Sequence, residues 1–292
     1  MFLTMLFTRK EKDIVIKQRT IKRAVTIEGI GLQTGNKVAL TLNSSPADSG
    51  INFIRTDLPN KPSLNIRSMD LGAAEAAERR TTLCLGPLQI QTTEHLLAAL
   101  SGLGVDNITI EMNNVELPGL DGSAKGFLEA IKGCGIIEQD LPKNIFDVKT
   151  PLWCKAGDSV LAILPDDHFR ISYTLSYPGI GTQFFSAVID ENIFENEIAG
   201  ARTFCSEAEA MELLKRGLGK GANYDNTLVM GPQGPINNKL RFSDEPVRHK
   251  VLDLIGDLYL AGMPLKGHVI AIKSGHKLNM ELVNRLKAQK GD

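Results

Sequence analysis

The chain has 292 residues, 42% hydrophobic and 23% charged, which is enough for two domains that each bury a core and is the composition of a soluble globular protein. Thirty-three basic against 34 acidic side chains leave a net charge of −1, without the basic excess of a nucleic-acid binder. Cys84, Cys134, Cys154 and Cys205 have no CxxC spacing, so they read as reduced thiols of a cytoplasmic protein and not as a disulfide framework or zinc knuckle.

Residues 1–14 read as an unstructured leader. The apolar stretch Met1–Phe7 runs straight into Arg9-Lys10-Glu11-Lys12-Asp13, so it fits neither a signal peptide nor a membrane span. A weak contact with the inner-membrane surface is the most it suggests. Regular structure is expected from Val15. Val25 to Leu42 reads as strand, turn, strand, punctuated by Gly29 and Gly31-Leu32-Gln33-Thr34-Gly35. Short strands follow through residues 51–90. A helix is predicted next, capped by Thr92 or Thr93, filled by His95–Leu100 and ended by Gly102 or Gly104. Then come the strand Ile108–Met112 and a helix Ala124–Lys132, opened by Asp121-Gly122-Ser123 and closed by Gly133. The second half repeats this order: a helix Glu245–Ala261 capped by Ser243 or Asp244 and stopped at Gly262, a strand His268–Ile272, and a last helix opened by Gly275-His276. The pattern predicts an α+β protein with a duplicated domain and a boundary near Leu141-Pro142.

On the helix from Glu245, Pro246 suits the first turn, and Val247, Val251, Leu254, Ile255 and Leu258 share one arc. His249, Asp253 and Asp257 stand at i, i+4 and i+8 and drift only about 40° per step, so they share the opposite flank. For an arbitrary helix this spacing describes a solvated face of ordinary ion pairs. His95, preceded by Glu94 at the start of another apolar helix, lifts it above that. Two imidazoles and a carboxylate suffice to hold a catalytic Zn²⁺ with one position open, and a free carboxylate beside one ligand can move protons. The residues therefore read as a metal-dependent hydrolase. His276, at a strand-to-helix turn, is a candidate acid for a leaving amine, since histidine titrates near neutral pH. His168 reads as a turn residue and His268 as structural. Gly217-Leu218-Gly219-Lys220-Gly221 lacks the ending of a P-loop, and neither GxSxG nor HExxH occurs. Two alternatives stay open: a two-His, one-carboxylate Fe(II) enzyme, and a non-catalytic binding module.

Several stretches carry a resemblance from Ile16 to Lys287. They are Ile16–Arg23, Gly29–Gly35, Thr93-Glu94-His95-Leu96, Leu117–Ala124, Ala201-Arg202-Thr203-Phe204, Val247–Asp257 and Lys273-Ser274-Gly275-His276. In these the chain resembles the UDP-3-O-acyl-N-acetylglucosamine deacetylase (LpxC) family of Gram-negative lipid A biosynthesis. The resemblance implies two similar α+β domains, here 15–141 and 142–292. Each is a sheet packed on helices with a small insert, and the active site lies in the cleft between them. It implies His95, His249 and Asp253 as metal ligands, for zinc, with ferrous iron the alternative in the cell. It makes Glu94 the general base and His276 the general acid, supported by Asp257, with Thr203 at the oxyanion. Lys250, Lys273, Phe204 and Cys84 fall on the substrate side. The segment Ser206–Val229 would form an apolar passage for the acyl chain of UDP-3-O-acyl-N-acetylglucosamine, and a monomer is expected. Departures are Gln33 where family members often have His, and Cys205-Ser206 where Gly and an aromatic are usual.

Overall fold

The computed structural model describes residues 15–69, 74–77 and 80–290; the leader 1–14 lies outside them. The first half contains β1 (Lys17–Ile21), β2 (Val25–Ile30), β3 (Lys37–Ser44), β4 (Ile51–Arg55), β5 (Ser63–Asn65), β6 (Ala74–Ala77), β7 (Arg80–Leu85), β8 (Leu88–Gln91), α1 (Glu94–Gly102), β9 (Ile108–Met112), α2 (Lys125–Cys134) and β10 (Ile136–Pro142). The second contains β11 (Phe146–Asp147), β12 (Leu152–Ala156), β13 (Ser159–Leu164), β14 (Phe169–Tyr177) and β15 (Gly181–Val188). A short helix α3 (Glu191–Ile193) then runs into a π-helical turn, followed by β16 (Phe204–Ser206), α4 (Glu207–Lys215), β17 (Leu228–Gly231), β18 (Gly234–Pro235), α5 (Glu245–Tyr259), β19 (Leu265–Ile272) and α6 (His276–Lys290). The fold is mixed α+β, and among the described residues no helix is long and apolar enough to cross a membrane.

Two sheets have the same connectivity. One runs β2-β3-β9-β4-β5 and the other β12-β13-β19-β14-β15, with β11 added alongside β19. In each, the last strand in sequence lies in the centre, antiparallel to one neighbour and parallel to the other. Period-2 patterning explains these strands: Val38, Leu40 and Leu42 of β3 are buried while Ala39 and Thr41 between them are not. Two three-stranded sheets, β6-β7-β8 and β16-β17-β18, stand apart from these, and a β1-β10 ribbon ties the first half to its own C-terminal end.

The helices differ from the sequence reading in how they end. Thr93 occupies the N-cap position of α1 without a side-chain capping bond. Asp244 likewise does not cap α5, because its carboxylate is drawn to Arg248 Nε at 2.5 Å. Helix α2 runs through Gly133 to Cys134 and stops at Gly135, whose φ of 79° breaks the helix. Helix α5 is not half exposed as its amphipathic pattern suggests. From Glu245 to Tyr259 only Arg248 and Lys250 escape full burial, because α5 packs on β14, β15 and α6 and also crosses α1. Gly256 allows that crossing: a Cβ there would lie 2.0 Å from the Glu94 carbonyl oxygen.

Candidate active site

The crossing of α1 and α5 brings His95 to His249 and Asp253. Their rings meet edge to face with centroids 5.1 Å apart. His249 Nε2 is 3.3 Å and His95 Nε2 3.6 Å from Asp253 Oδ1, and all three side chains are at least 95% buried. One atom from each lies within 4.8 Å of the others, so the three could hold a metal ion. The residues fit such an ion: tetrahedral bonds of about 2.1 Å put neighbouring donors about 3.4 Å apart. The Ala201 carbonyl, 3.0 Å from His249 Nδ1, accepts its proton and leaves Nε2 as a donor lone pair. Burial holds the His249 pKa down at about 3, which keeps the ring neutral and able to ligate. Burial opposes ionisation of Asp253, but His249 and Lys250 outweigh it and hold the carboxylate well below its usual range. Lys250 Nζ donates to Asp253 Oδ2 at 2.6 Å. Ala201 is itself anchored, because Arg202 donates from its backbone and Nε to the wholly buried Glu245 at the start of α5.

A second cluster adjoins the first. Glu94, 3% exposed, accepts from the Thr81 backbone N–H at 3.2 Å. Burial raises its pKa, against the pull of His276 and His95. His276 Nδ1 is 2.8 Å from Asp257 Oδ2, and its Nε2 is 3.9 Å from Asp253. Burial disfavours charging His276, but the buried Asp257 carboxylate, with Asp253 and Glu94, lifts its pKa to about 9. Asp257 also receives Asn279 Nδ2 at 2.8 Å and Thr81 Oγ1 at 2.5 Å. Helix α5 thus sends its carboxylates to different partners, Asp253 to His95 and His249 and Asp257 to His276, Asn279 and Thr81. Both clusters open on a cavity of about 850 Å³. Its other walls include Phe204, Ala210, Met211, Leu213 and Val229, so an ionic centre shares one space with an apolar lining.

A profile of the family described as "UDP-3-O-acyl N-acetylglycosamine deacetylase" matches residues 18–288. A relative from Bdellovibrio bacteriovorus named UDP-3-O-acyl-N-acetylglucosamine deacetylase is 38% identical over 92% of this chain and 89% of its own length. Relatives of the same name are 42% identical in Chlamydia trachomatis serovar L2, over 92% and 94%, and 38% identical in a Nostoc species, over 94% and 99%. The chain belongs to this deacetylase family.

The other residues singled out through the family resemblance fall in different places. Thr203, Phe204, Lys250 and Lys273 line the cavity. Phe204 stacks edge-on against Tyr177 and His249, and Lys250 Nζ lies 5.9 Å from its ring centre. Thr203 is held by its backbone N–H to the Gly122 carbonyl at 2.8 Å. That close approach requires glycine, since a Cβ on Gly122 would lie 1.7 Å from the Asn226 oxygen. Lys273, at φ 51°, pairs with Asp158 at 2.5 Å. Cys84 sits on β7 opposite Gln89 and is not among the lining residues. At the departures from the family pattern, Gln33 Oε1 accepts from Gly219 N–H at 3.2 Å, and Ser206 caps α4 in a reciprocal box with Glu209. His168 is an exposed turn residue, and His268 bonds Ser172 at 2.9 Å from the middle of β19, not from its start. Sequence reasoning missed Thr81, Asn279 and Glu116. Asn279 stands three residues after His276 on α6, a spacing that does signal a shared face. Glu116 is buried, and its carboxylate holds the Gly31–Gly35 turn through Gln33 N, Thr34 N and Thr34 Oγ1.

Proposed function

We propose that the chain removes acetate from UDP-3-O-acyl-N-acetylglucosamine, in lipid A biosynthesis, using a dication held by His95, His249 and Asp253. The observation that carries this reading is the buried His-His-Asp cluster flanked by Glu94 and by the His276–Asp257 pair on the wall of one large, partly apolar cavity. When bound, the ion supplies Lewis acidity that acidifies water and polarises a carbonyl, and zinc is the ion this donor set favours.

Glu94 takes the proton of the attacking water. Its raised pKa places it nearer working pH, where a base transfers protons most effectively. His276 gives a proton from Nε2 to the departing glucosamine nitrogen, since an amide nitrogen leaves poorly unprotonated. Asp257 accepts from His276 Nδ1, fixing both the ring and the nitrogen that donates. The Thr203 hydroxyl donates where the acetamide oxygen gains charge. Lys250 and Lys273 offer cations to the diphosphate, which competes with Asp158 for Lys273. Phe204 with the side chains of α4 and β17 forms an apolar bed for the acyl chain. Two domains, 15–141 and 142–292, with the site in the cleft between them, belong to the same proposal, as do a monomer and a cytoplasmic setting.

Acetate release by the purified protein from UDP-3-O-acyl-N-acetylglucosamine, before and after chelation and after restoring Zn²⁺, tests the reading. Chelator-sensitive, zinc-restored release is expected. No release from a folded, zinc-loaded sample would overturn it.

A further inference from the structure

Thr81 is fully buried on β7, and its backbone and hydroxyl together reach both proposed proton-transfer groups. Its backbone N–H donates to Glu94 Oε2 at 3.2 Å. Its hydroxyl lies 2.5 Å from Asp257 Oδ1 and 3.2 Å from His276 Nδ1. The proton inventory leaves one solution. Asn279 Oδ1 accepts from Ser274 Oγ at 2.5 Å, so its amide nitrogen faces Asp257. An ionised Asp257 only accepts, so the Thr81 hydroxyl hydrogen points to Oδ1 and the His276 proton on Nδ1 points to Oδ2. The Thr81 lone pair then faces that same N–H. Nε2 is left toward Asp253 and the cavity.

We infer that Thr81 is a positioning residue for both the base and the acid. It fixes the Glu94 carboxylate through its backbone, and through its hydroxyl it fixes the Asp257 carboxylate that sets the orientation of His276. Thr81 belongs to the β6-β7-β8 sheet of the first half, whereas Asp257 and His276 belong to the second half. The hydroxyl therefore also sets the distance between the two proton-transfer groups. An aliphatic side chain of equal size would leave Asp257 Oδ1 buried with no hydroxyl donor, free to rotate and carry the imidazole with it.

The inference rests on the roles proposed for His276 and Asp257, so the test includes both. Zinc-loaded Thr81→Val, Thr81→Ala, Thr81→Ser and His276→Ala proteins are compared with wild type for kcat, KM and bound zinc. Val and Ala each lower kcat roughly 10–100-fold, with KM within about twofold and bound zinc unchanged, while Ser recovers most of the loss. Wild-type kcat in Val or Ala, a Ser variant as impaired as Val, or zinc lost in step with activity would each overturn it. A His276→Ala enzyme that turns over normally would defeat the site reading itself. A dead His276→Ala beside a fully active Thr81→Val would defeat only the inference about Thr81.

Discussion

The meeting of α1 and α5 at the site depends on the absence of a side chain at Gly256. Replacing it with alanine places a Cβ 2.0 Å from the Glu94 carbonyl oxygen, 2.7 Å from its carbon and 3.0 Å from its Cα. All three are backbone atoms, so no rotamer relieves the clash. Ordinary contact begins at 3.4 Å, so α1 and α5 must part locally by about 1.4 Å. Overpacking of this kind costs ~1–3 kcal/mol, and alanine's better helix propensity returns ~1, leaving a net loss of at most ~2 kcal/mol. Function is affected far more. Metal–ligand distances tolerate shifts of about 0.2 Å, and misplacing reacting groups by 1 Å can cost about 10²-fold in rate. Gly256→Ala is therefore expected to stay folded, to lose zinc on dialysis against a zinc buffer that saturates wild type, and to release acetate about 10²-fold more slowly. Gly133→Ala is the control: a Cβ there meets nothing within 4 Å, so it gains ~0.5–1 kcal/mol with unchanged activity. A Gly256→Ala protein with wild-type zinc affinity and turnover would refute the argument that this crossing sets the ligand geometry.

Removing a ligand should separate binding from chemistry. His95→Ala and Asp253→Ala are expected to lower bound metal measured by elemental analysis, and a full complement in both would remove them from the ligand set. Glu94→Gln should keep metal and lose most acetate release, and normal turnover would dismiss it as the base. The pH profile follows from the direction of each shift. As the proposed base, Glu94 acts ionised, so activity falls as pH drops through its pKa, which burial raises from the protein groups alone and a bound dication lowers. His276 acts protonated, so activity falls as pH rises through its own, about 9 from the protein groups alone and lower beside a bound dication. His276→Gln should remove the alkaline limb and, by deleting a positive neighbour of Glu94, move the acid limb up; an unchanged profile would demote it.

Much of the fold is legible along the chain because its cues are local. Alternation in β3 and β9 and the apolar arc of α5 each follow from side chains within one element, although α5 ends at Tyr259, before the expected stop at Gly262. The helix ends were harder, since a cap depends on what else competes for it. Asp244 has the right chemistry to cap α5 but lies one turn before Arg248, and the ion pair wins. Gly133 and Gly135 are equivalent in composition, yet only Gly135 adopts the left-handed φ that ends α2. The spacing of His249, Asp253 and Asp257 was readable because helical periodicity relates residues on one helix. The bond from Thr81 to Asp257 spans 176 positions and joins β7 to α5, and no periodicity reports it.

The burial of α5 explains why such a polar set persists inside the molecule. Glu94, Asp253 and Asp257 are each at most 3% exposed, and three carboxylates in a shared interior are costly unless cations accompany them. Within the cluster the protein supplies Lys250 beside Asp253 and a protonated His276 beside Asp257. Glu94 has a backbone N–H from Thr81 and shares the His276 cation with Asp257, so three carboxylates face two cations and the set carries one negative charge too many when Glu94 is ionised. A dication between His95, His249 and Asp253 reverses that sign. It makes ionised Glu94 the favoured form and, by the same field, weakens the hold of His276 on its proton. On the roles proposed above, the charge that lets Glu94 accept a proton is also the charge that readies His276 to give one, which accounts for the start of α6 lying against the crossing of α1 and α5.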